Sequence, residues 1–451
     1  MTMSLLLSDI AALFGCHIPE QDVTVTGAVI DSRQVKRGNL FVALSGERVD
    51  GHHYLAQARV AGACAALVSH KQDDELPQIL VKDVIEAFGL IAQYWRQQCN
   101  AKVIAITGSN GKTTVKEMVA AILKQCGTVL ATQGNFNNEL GVPLTLCHLD
   151  QTDDYAVIEM GASHLGDIAV LTEIVNPDIA LINNVASAHI QGFGSLEGVA
   201  IAKAEIYAGL PAQGVGILNL DMPFVDICKQ VLADRKTISF AIDNQADIMA
   251  KDIQLDPASS HFMVELDSEF HYVNLPLPGQ HNVANALAAI AIARALDVPV
   301  IAMVKGLATM KSVPHRLQFR AGINHSQIID DTYNANPGSY KQALAVLAMF
   351  SGQHWLVLGD FGELGDDSEQ IHEQMGVDAK NAGIEKLLTI GRDSKNAAIA
   401  FGHGAIHFDD MVSLQQQLQN EISPDVTCLI KGSRFMQLDK LANVLAEVGE
   451  G

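Results

Sequence analysis

A glycine-rich segment at residues 107–114 carries residue types suited to binding phosphate. After Thr107 it contains, in order, Gly108, Ser109, Asn110, Gly111, Lys112, Thr113 and Thr114. In such a segment, backbone N–H groups and a helix N-terminus present partial positive charge to an anion. The lysine adds a full charge, and a threonine hydroxyl can bind Mg²⁺.

The spacing in this segment differs from that of a generic phosphate-binding loop. Two residues separate Gly108 from Gly111, where the usual motif has four, so a tight turn that happens to carry Lys-Thr is the alternative. Residues 103–106 before it are apolar and β-branched, and the apolar positions 115, 118, 119, 122 and 123 after it define one face of a helix. The strand and helix favour phosphate binding, and hence ATP or GTP, without indicating a reaction.

Three further residues follow or lie near predicted strands of the same region. Glu159 ends the strand-like run 155–158, where a carboxylate can bind Mg²⁺ or simply be solvated. His189 lies just past a run at 178–183, and a structural role is the alternative for it. Lys203 lies in a short helical stretch, where the residues alone favour a surface lysine.

Polar residues also mark the start of a later helix and the segment beyond it. Asn282 is a plausible N-cap, and Asn285 lies one turn further on, where its amide can contact a base or ribose. Arg316 lies at a predicted domain boundary and can bind phosphate when domains close, or be solvated. Residues 330–337, with two acids, two amides and a proline after a predicted strand, are typical of a site loop.

Composition excludes several classes of function. The 451 residues carry a net charge of −21, which argues against a nucleic-acid backbone or an anionic membrane as the main partner. Seven scattered cysteines without a CxxC pair favour reduced thiols. No apolar run approaches the ~20 residues of a membrane span, and the N-terminus lacks the features of a signal peptide, so we expect a cytoplasmic protein.

The order of predicted elements indicates an α/β protein of three domains. Residues 1–83 form a small α/β domain. Residues 84–313 alternate strands and helices around the phosphate-binding segment, which predicts a mostly parallel sheet, with an antiparallel appendage at 237–276. Residues 314–451 repeat the alternation as a doubly wound, Rossmann-like domain. One nucleotide site among three domains predicts a ligand bound between domains.

Taken together, these motifs resemble those of the Mur ligases, the ATP-dependent amino-acid ligases of bacterial peptidoglycan synthesis. The resemblance extends over essentially the whole chain and keeps the order of the motifs, which are residues 107–114, 134–139, 159–162, His189, Lys203, 279–285, 331–336 and 431–434.

Within the family, the resemblance is closest to the members that join D-alanyl-D-alanine to UDP-N-acetylmuramoyl-tripeptide. Residues 40–48 resemble a UDP-sugar-binding domain, and residues 358–365 resemble the third domain of those members. An Asp-Asn-Pro-Arg motif that binds a diamino acid in related enzymes is absent from the sequence. The resemblance implies that these two substrates are the partners and that the enzyme is a monomer.

The resemblance implies a role for each matching residue. Lys112 would neutralise phosphate charge, Thr113 and Glu159 would bind the magnesium of ATP, and His189 would help to bind a second magnesium. Lys203 would be carbamylated by CO₂. The residues expected to contact the nucleotide, besides the glycine-rich segment, are Asn282, Asn285, Arg316 and Asp331. Those expected to face the other substrates are Ser32, Arg33, Gly46, Glu47, Asn135, Asn137, Asn138, Asn334 and Asn336.

One position departs from the family pattern, and two alternative functions stay open. His315 stands where the family often has glycine before the arginine. A folate or other amino-acid ligase shares the central motifs, but the 100 residues before the glycine-rich segment count against it. A nucleotide-binding switch or kinase needs neither residues 331–336 nor the third domain.

Overall fold

The structure, a computed structural model, describes residues 3–16, 22–46, 49–186 and 190–447. Three larger β-sheets follow one another along the described chain, within residues 28–80, 102–275 and 318–431, and helices pack on their faces. The predicted α/β fold with a mostly parallel central sheet and a Rossmann-like C-terminal domain is confirmed.

The N-terminal region contains a short antiparallel pair and a four-stranded parallel sheet. The pair is β1 (Leu5–Leu6) with β2 (Thr24–Val25), and α1 (Leu7–Ala12) lies between them in sequence. The sheet consists of β3 (Ala28–Val29), β4 (Leu40–Val42), β5 (Ala65–Val68) and β6 (Gln78–Leu80), with α2 at Leu55–Ala61.

The central region begins with α3 (Val84–Gln97) and builds a nine-stranded sheet. Its first half contains β7 (Lys102–Thr107), α4 (Lys112–Leu123), β8 (Val129–Ala131), α5 (Gly141–Leu146), β9 (Tyr155–Glu159), α6 (Asp167–Val175), β10 (Ile179–Ile182), α7 (Ile190–Phe193) and α8 (Leu196–Ala208). Its second half contains β11 (Val215–Asn219), α9 (Val225–Leu232), β12 (Lys236–Ala241), β13 (Ile248–Asp256), β14 (Ser259–Leu266), β15 (Glu269–Leu275), α10 (Gln280–Ala295) and α11 (Val300–Ala308).

The strand order of this sheet is β15-β14-β13-β12-β11-β10-β7-β9-β8. Every neighbouring pair from β8 to β13 is parallel, whereas β13 with β14 and β14 with β15 are antiparallel. The stretch expected to be an appendage is therefore continuous with the central sheet, because β13 pairs with β12 before the chain reverses.

Helices on both faces explain why β7 is apolar throughout. Val103 and Ala105 pack in the cluster that includes α3 and α6, whereas Ile104 and Ile106 pack in the cluster that includes α4 and α10. Alternate strand residues point to opposite faces, so a strand buried on both sides needs apolar residues at every position. The chain leaves the buried strand at the glycine-rich segment, at the carboxyl edge of the sheet.

The C-terminal region forms a six-stranded sheet with helices on both faces. Its elements are β16 (Gln318–Ala321), β17 (Gln327–Asp331), α12 (Pro337–Leu347), β18 (Gln353–Gly359), α13 (Ser368–Asn381), β19 (Lys386–Ile390), α14 (Ser394–Phe401), β20 (Ala405–Phe408), α15 (Met411–Glu421), β21 (Val426–Lys431) and α16 (Leu438–Leu445). The order is β16-β17-β21-β18-β19-β20, and only β16 is antiparallel. Sequence reasoning missed this short edge strand.

Among the described residues, no helix has both the length and the apolar character needed to cross a membrane.

Candidate active site

A cavity of about 1450 Å³ separates the central sheet from the C-terminal sheet. Its walls include loops at the carboxyl ends of strands in both sheets, among them the loops after β7, β9, β10 and β17, together with residues of α6, α8 and α10. Ligands of open parallel sheets bind at this edge, and the cavity brings together most of the residues that the sequence singled out.

The glycine-rich loop lies on this cavity at the start of α4. Gly111 precedes the helix with φ of +76°, a left-handed conformation that favours glycine, and no side chain caps the helix N-terminus. In the described part of the chain, the first N–H groups of α4 therefore have no capping side chain, which is typical of helix ends that bind anions. The Nζ of Lys112 donates a hydrogen bond to the Gly108 carbonyl at 2.7 Å, and burial lowers the pKa of Lys112.

Asparagines after β10 hold the glycine-rich loop in shape. The side-chain oxygen of Asn184 accepts from the Asn110 N–H at 2.8 Å, and its carbonyl accepts from the Ser109 N–H. Asn183 donates to the Asn110 carbonyl and to Oδ1 of Asn285. No role was predicted for Asn183 or Asn184, although two amides directly after a buried strand were the available signal.

Glu159 contacts two partners that fix both of its carboxylate oxygens. Thr113 Oγ1 donates to Oε2 at 2.9 Å, and the Asn137 amide donates to Oε1 at 2.8 Å. Glu159 is 2% exposed at the end of β9. A hydroxyl and a carboxylate beside a phosphate-binding loop are the hard oxygen ligands that Mg²⁺ prefers.

Lys203 is buried in α8, contrary to the expectation of a surface lysine drawn from the residues alone. Its Nζ lies 5.9 Å from the centre of the Phe193 ring, and it lines the cavity. Burial, and secondly the charge of Lys112, lower the pKa of Lys203 to about 7. The amine is therefore largely uncharged at slightly alkaline pH, which makes it a nucleophile.

Arg316 connects the C-terminal region to the glycine-rich loop. Its guanidinium stacks 4.2 Å from the centre of the Tyr333 ring and donates to Thr113 Oγ1 at 3.2 Å. Its buried Nε has no hydrogen-bond partner among the described residues. The arginine thus projects into the cavity with a donor available for an anion.

His315 occupies a left-handed backbone position with φ of +61°. Glycine is favoured at such a position, which explains the glycine of the family pattern. The Nδ1 of His315 lies 2.9 Å from the buried Asp330 carboxylate, which also contacts Arg320. The contact of His315 with Asp330 stabilises the strained turn that carries Arg316.

The loop after β17 contacts both the last strand and the glycine-rich loop. Asp331 accepts from the buried Lys431 at 2.5 Å and from the Leu317 N–H. The Asn336 amide donates to Oδ1 of Asn110 at 2.6 Å, across the cavity between the two regions. Asn334 accepts from the N–H of the residue after it and also lines the cavity.

Asn282 and Asn285 lie together inside α10. The helix begins after Gly279, so the expectation that Asn282 caps it was wrong. Asn282 instead donates to the Pro278 carbonyl and accepts from Asn285. Both amides line the cavity.

Other expected residues have different surroundings. Asn135 and Asn138 line the cavity, and Asn138 also accepts from the Gly141 N–H at the start of α5. Ser32, Arg33 and Gly46 lie in the N-terminal region, which contributes none of the described cavity-lining residues. His189 and Glu47 lie outside the described residues.

Comparison with known proteins assigns this arrangement to a family. The chain matches the Mur ligase family catalytic domain over residues 24–109, the Mur ligase middle domain over 106–293 and the Mur ligase glutamate ligase domain over 315–434. It is 44% identical, over 99% of both chains, to the UDP-N-acetylmuramoyl-tripeptide–D-alanyl-D-alanine ligase of Escherichia coli K12. The chain belongs to the Mur ligase family.

Solved structures support the same family assignment. A crystal structure of MurF from Acinetobacter baumannii superposes with a TM-score of 0.92 at 36% identity, covering 98% of this chain and 99% of that one. MurF from Thermotoga maritima, solved in complex with ADP, gives a TM-score of 0.84 at 28% identity and covers 93% and 96%. As a Mur ligase, the chain is an ATP-dependent ligase.

Proposed function

We propose that this enzyme joins D-alanyl-D-alanine to UDP-N-acetylmuramoyl-tripeptide at the expense of ATP, giving the UDP-N-acetylmuramoyl-pentapeptide used for peptidoglycan. The observation that carries the proposal is the convergence of the glycine-rich loop, Glu159, Lys203 and residues 331–336 on one cavity. Relatives over the full length of the chain bear the name of this ligase. We further expect a monomer in the cytoplasm.

The residues present fit ATP and magnesium. The first turn of α4 has N–H groups without a side-chain cap, and Lys112 lies beside them for the phosphates. Thr113 and Glu159 supply oxygen ligands for magnesium, which would neutralise charge on the transferred phosphoryl group. Asn282, Asn285, Arg316 and Asp331 surround the same cavity and are proposed to contact the nucleotide.

The reaction begins with attack of the tripeptide carboxylate on the γ-phosphorus of ATP, which releases ADP and forms an acyl phosphate. Lys112 would balance the charge that moves onto the phosphate oxygens. The free amine of D-alanyl-D-alanine then attacks the acyl carbon, and phosphate leaves from the tetrahedral intermediate. The contacts of Arg316 and Asn336 link the central and C-terminal regions across the cavity, and closer approach of these regions during the reaction would protect the acyl phosphate from water.

Lys203 is proposed to react with CO₂. Its uncharged amine would attack the carbon of CO₂ and lose a proton, leaving a carbamate whose two oxygens can bind metal. The pKa of about 7 supports this chemistry, because the free amine is then available near neutral pH. With His189, the carbamate would bind a second magnesium ion beside the one at Thr113 and Glu159.

We assign the substrates to three domains. Residues 1–83 would bind the UDP-sugar through Ser32, Arg33, Gly46 and Glu47, residues 84–313 would bind ATP, and residues 314–451 would receive the dipeptide. The remaining contacts to the muramoyl tripeptide and the dipeptide would come from Asn135, Asn137, Asn138, Asn334 and Asn336.

The proposal is tested by ADP release from ATP with each acceptor omitted in turn. We expect turnover only when UDP-N-acetylmuramoyl-tripeptide and D-alanyl-D-alanine are both present. Turnover without either acceptor would indicate a nucleotide hydrolase, and turnover with pteroylglutamate would indicate a folate ligase. For Lys203, we expect Lys203→Ala to be inactive and to regain activity with added short carboxylates. Wild-type activity of this variant would exclude the carbamate.

A further inference from the structure

Lys116 is a buried lysine to which the proposed reaction gives no role. It lies on α4 one turn after Lys112, and it is 2% exposed. Its Nζ donates to the Thr132 carbonyl at 2.6 Å and lies 2.6 Å from a carboxylate oxygen of Glu117. A buried ammonium group is costly unless it is paired, and this one is paired to a single backbone carbonyl and one partly exposed acid.

The carbonyl partner belongs to a residue that holds the backbone of Glu159. Thr132 directly follows β8 and is 1% exposed. Its Oγ1 accepts a hydrogen bond from the Glu159 N–H at 3.0 Å, and its own N–H donates to the Val157 carbonyl. Lys116 therefore fixes the main chain of Thr132, while the side chain of Thr132 fixes the main chain of Glu159.

The loop that begins at Thr132 returns to the Glu159 side chain. Asn137 donates to Oε1 of Glu159, and its carbonyl accepts from the Gly161 N–H at 2.7 Å. Thr113, on the same helix as Lys116, donates to Oε2 of Glu159. The hydrogen bonds thus form a closed circuit that runs from Lys116 on α4 through Thr132 to Glu159 and returns to α4 at Thr113.

We propose that Lys116 is a positioning residue that orients Glu159 through Thr132. This inference rests on the proposed function, in which Glu159 binds the magnesium of ATP. Groups that orient a metal ligand typically alter metal affinity about 10–100-fold when removed. Lys116 also anchors the start of residues 133–140, which carry the three asparagines of the cavity wall.

The test compares Lys116→Met, which keeps the apolar stem but removes the ammonium group, with Thr132→Val, which removes the acceptor of the Glu159 N–H. Lys124→Met is the matched control, because Lys124 directly follows α4 as its C-terminal cap and is exposed. For each protein, we would measure the half-saturating Mg²⁺ concentration in ADP release, the affinity for Mn²⁺ in the presence of ADP, and the melting temperature.

We expect Lys116→Met and Thr132→Val to need about tenfold more Mg²⁺ and to bind Mn²⁺ about tenfold more weakly. Lys124→Met should match the wild type, and KM for D-alanyl-D-alanine should be unchanged in all three. Folded variants with wild-type metal affinity would overturn the inference, as would a loss of kcat without a change in metal affinity. If Lys116→Met fails to fold, wild-type metal affinity in Thr132→Val still overturns the inference, because the link from Thr132 to Glu159 is then without effect.

The Mn²⁺ arm needs no turnover. It therefore tests the inference even if the wild-type enzyme proved to ligate a different acceptor. Failure of the proposed function would appear instead in the wild type, as absent or altered acceptor dependence with metal binding intact.

Discussion

The side-chain amide of Asn137 lies 2.8 Å from Oε1 of Glu159 and donates a hydrogen bond to it. The sequence predicted that Asn137 faces a substrate, and its amide here orients the carboxylate proposed to bind magnesium. We expect Asn137→Ala to raise the Mg²⁺ requirement about tenfold, because a group that orients a metal ligand is lost. Titration of ADP release with Mg²⁺ would measure this. Asn138→Ala, which removes an amide without contact to Glu159 in the structure, should leave the Mg²⁺ requirement unchanged.

Gly111→Ala should abolish nucleotide binding. A Cβ at this position would lie 2.6 Å from Nδ2 of Asn183 and 2.6 Å from Oδ1 of Asn285, two atoms that hydrogen-bond to each other. Gly134→Ala is the control, because Gly134 also has a positive φ but its Cβ would meet no atom within 4 Å. Both variants bear the left-handed strain of roughly 1 kcal/mol, and only the first disturbs the loop. Calorimetry with ADP would distinguish them, and equal affinities would contradict the steric argument.

Arg316→Lys should raise KM for ATP at least about tenfold, since a lysine cannot stack on Tyr333 while directing planar donors at Thr113 and an anion. Arg320→Lys provides the control. Arg320 contacts Asp330 and Asn443 and does not line the cavity. Steady-state kinetics with ATP as the varied substrate measure the effect. A wild-type KM for Arg316→Lys would show that charge alone suffices.

Lys431→Met should destabilise the C-terminal region by about 3–5 kcal/mol, because Asp331 would be left as a largely buried charge without its cation. Changing Asp331 to Asn in the same chain should recover part of this loss, since the unpaired charge is then removed. Urea unfolding followed by Trp355 fluorescence, with Trp95→Phe as background, would report on this region. No recovery in the double variant would mean that the pair is not what stabilises the loop.

Protonation of His281 should lower the free energy of unfolding in acid. Burial lowers its pKa from 6.5 to about 4, with Asp331 raising it and Lys431 lowering it to smaller extents. Between these two values the unfolded chain binds a proton that the folded chain does not, so the free energy of unfolding falls as the pH decreases from about 6.5 to 4. Above pH 6.5 neither state is protonated, and below pH 4 the loss is complete.

His281→Gln should lack this share of the acid loss. The measurement is the difference in melting temperature between wild type and variant from pH 8 to pH 3.5, which cancels the other titrating groups. We expect the wild type to lose stability relative to the variant through the window and to show a constant difference outside it. A difference that does not depend on pH would contradict the expected protonation.

Local pattern was sufficient to predict most of the elements. Alternation of apolar runs with helical periodicity placed the parallel strands and long helices within a few residues, because each buried face needs a regular spacing of apolar side chains. It missed β16, a short edge strand. The antiparallel pairing expected within residues 237–276 is present from β13 to β15, whereas β12 pairs in parallel as part of the central sheet. Strand pairing depends on contacts between distant segments, which periodicity does not contain.

Two histidines and a lysine at the site also show which properties follow from local sequence and which depend on the folded structure. The residue types around Lys203 favoured a surface lysine, and only packing of α8 against the sheet shows that it is buried with a lowered pKa. His315 was visible as a departure from glycine, but its contact with Asp330 required the folded turn. His189 stays a prediction from its motif.

The sequence by itself determined the glycine-rich loop between a strand and a helix, the order of the three α/β domains and the family, because these depend on residue types at short, fixed spacings. Tertiary structure decided which polar residues act on one another. One set of hydrogen bonds joins Lys116, Thr132, Asn137 and Glu159, and another joins Asn183 and Asn184 to the glycine-rich loop. Both sets connect residues from separate strands, helices and loops. Their hydrogen bonds exist only because parallel strands end at a common edge and bring distant segments within about 3 Å.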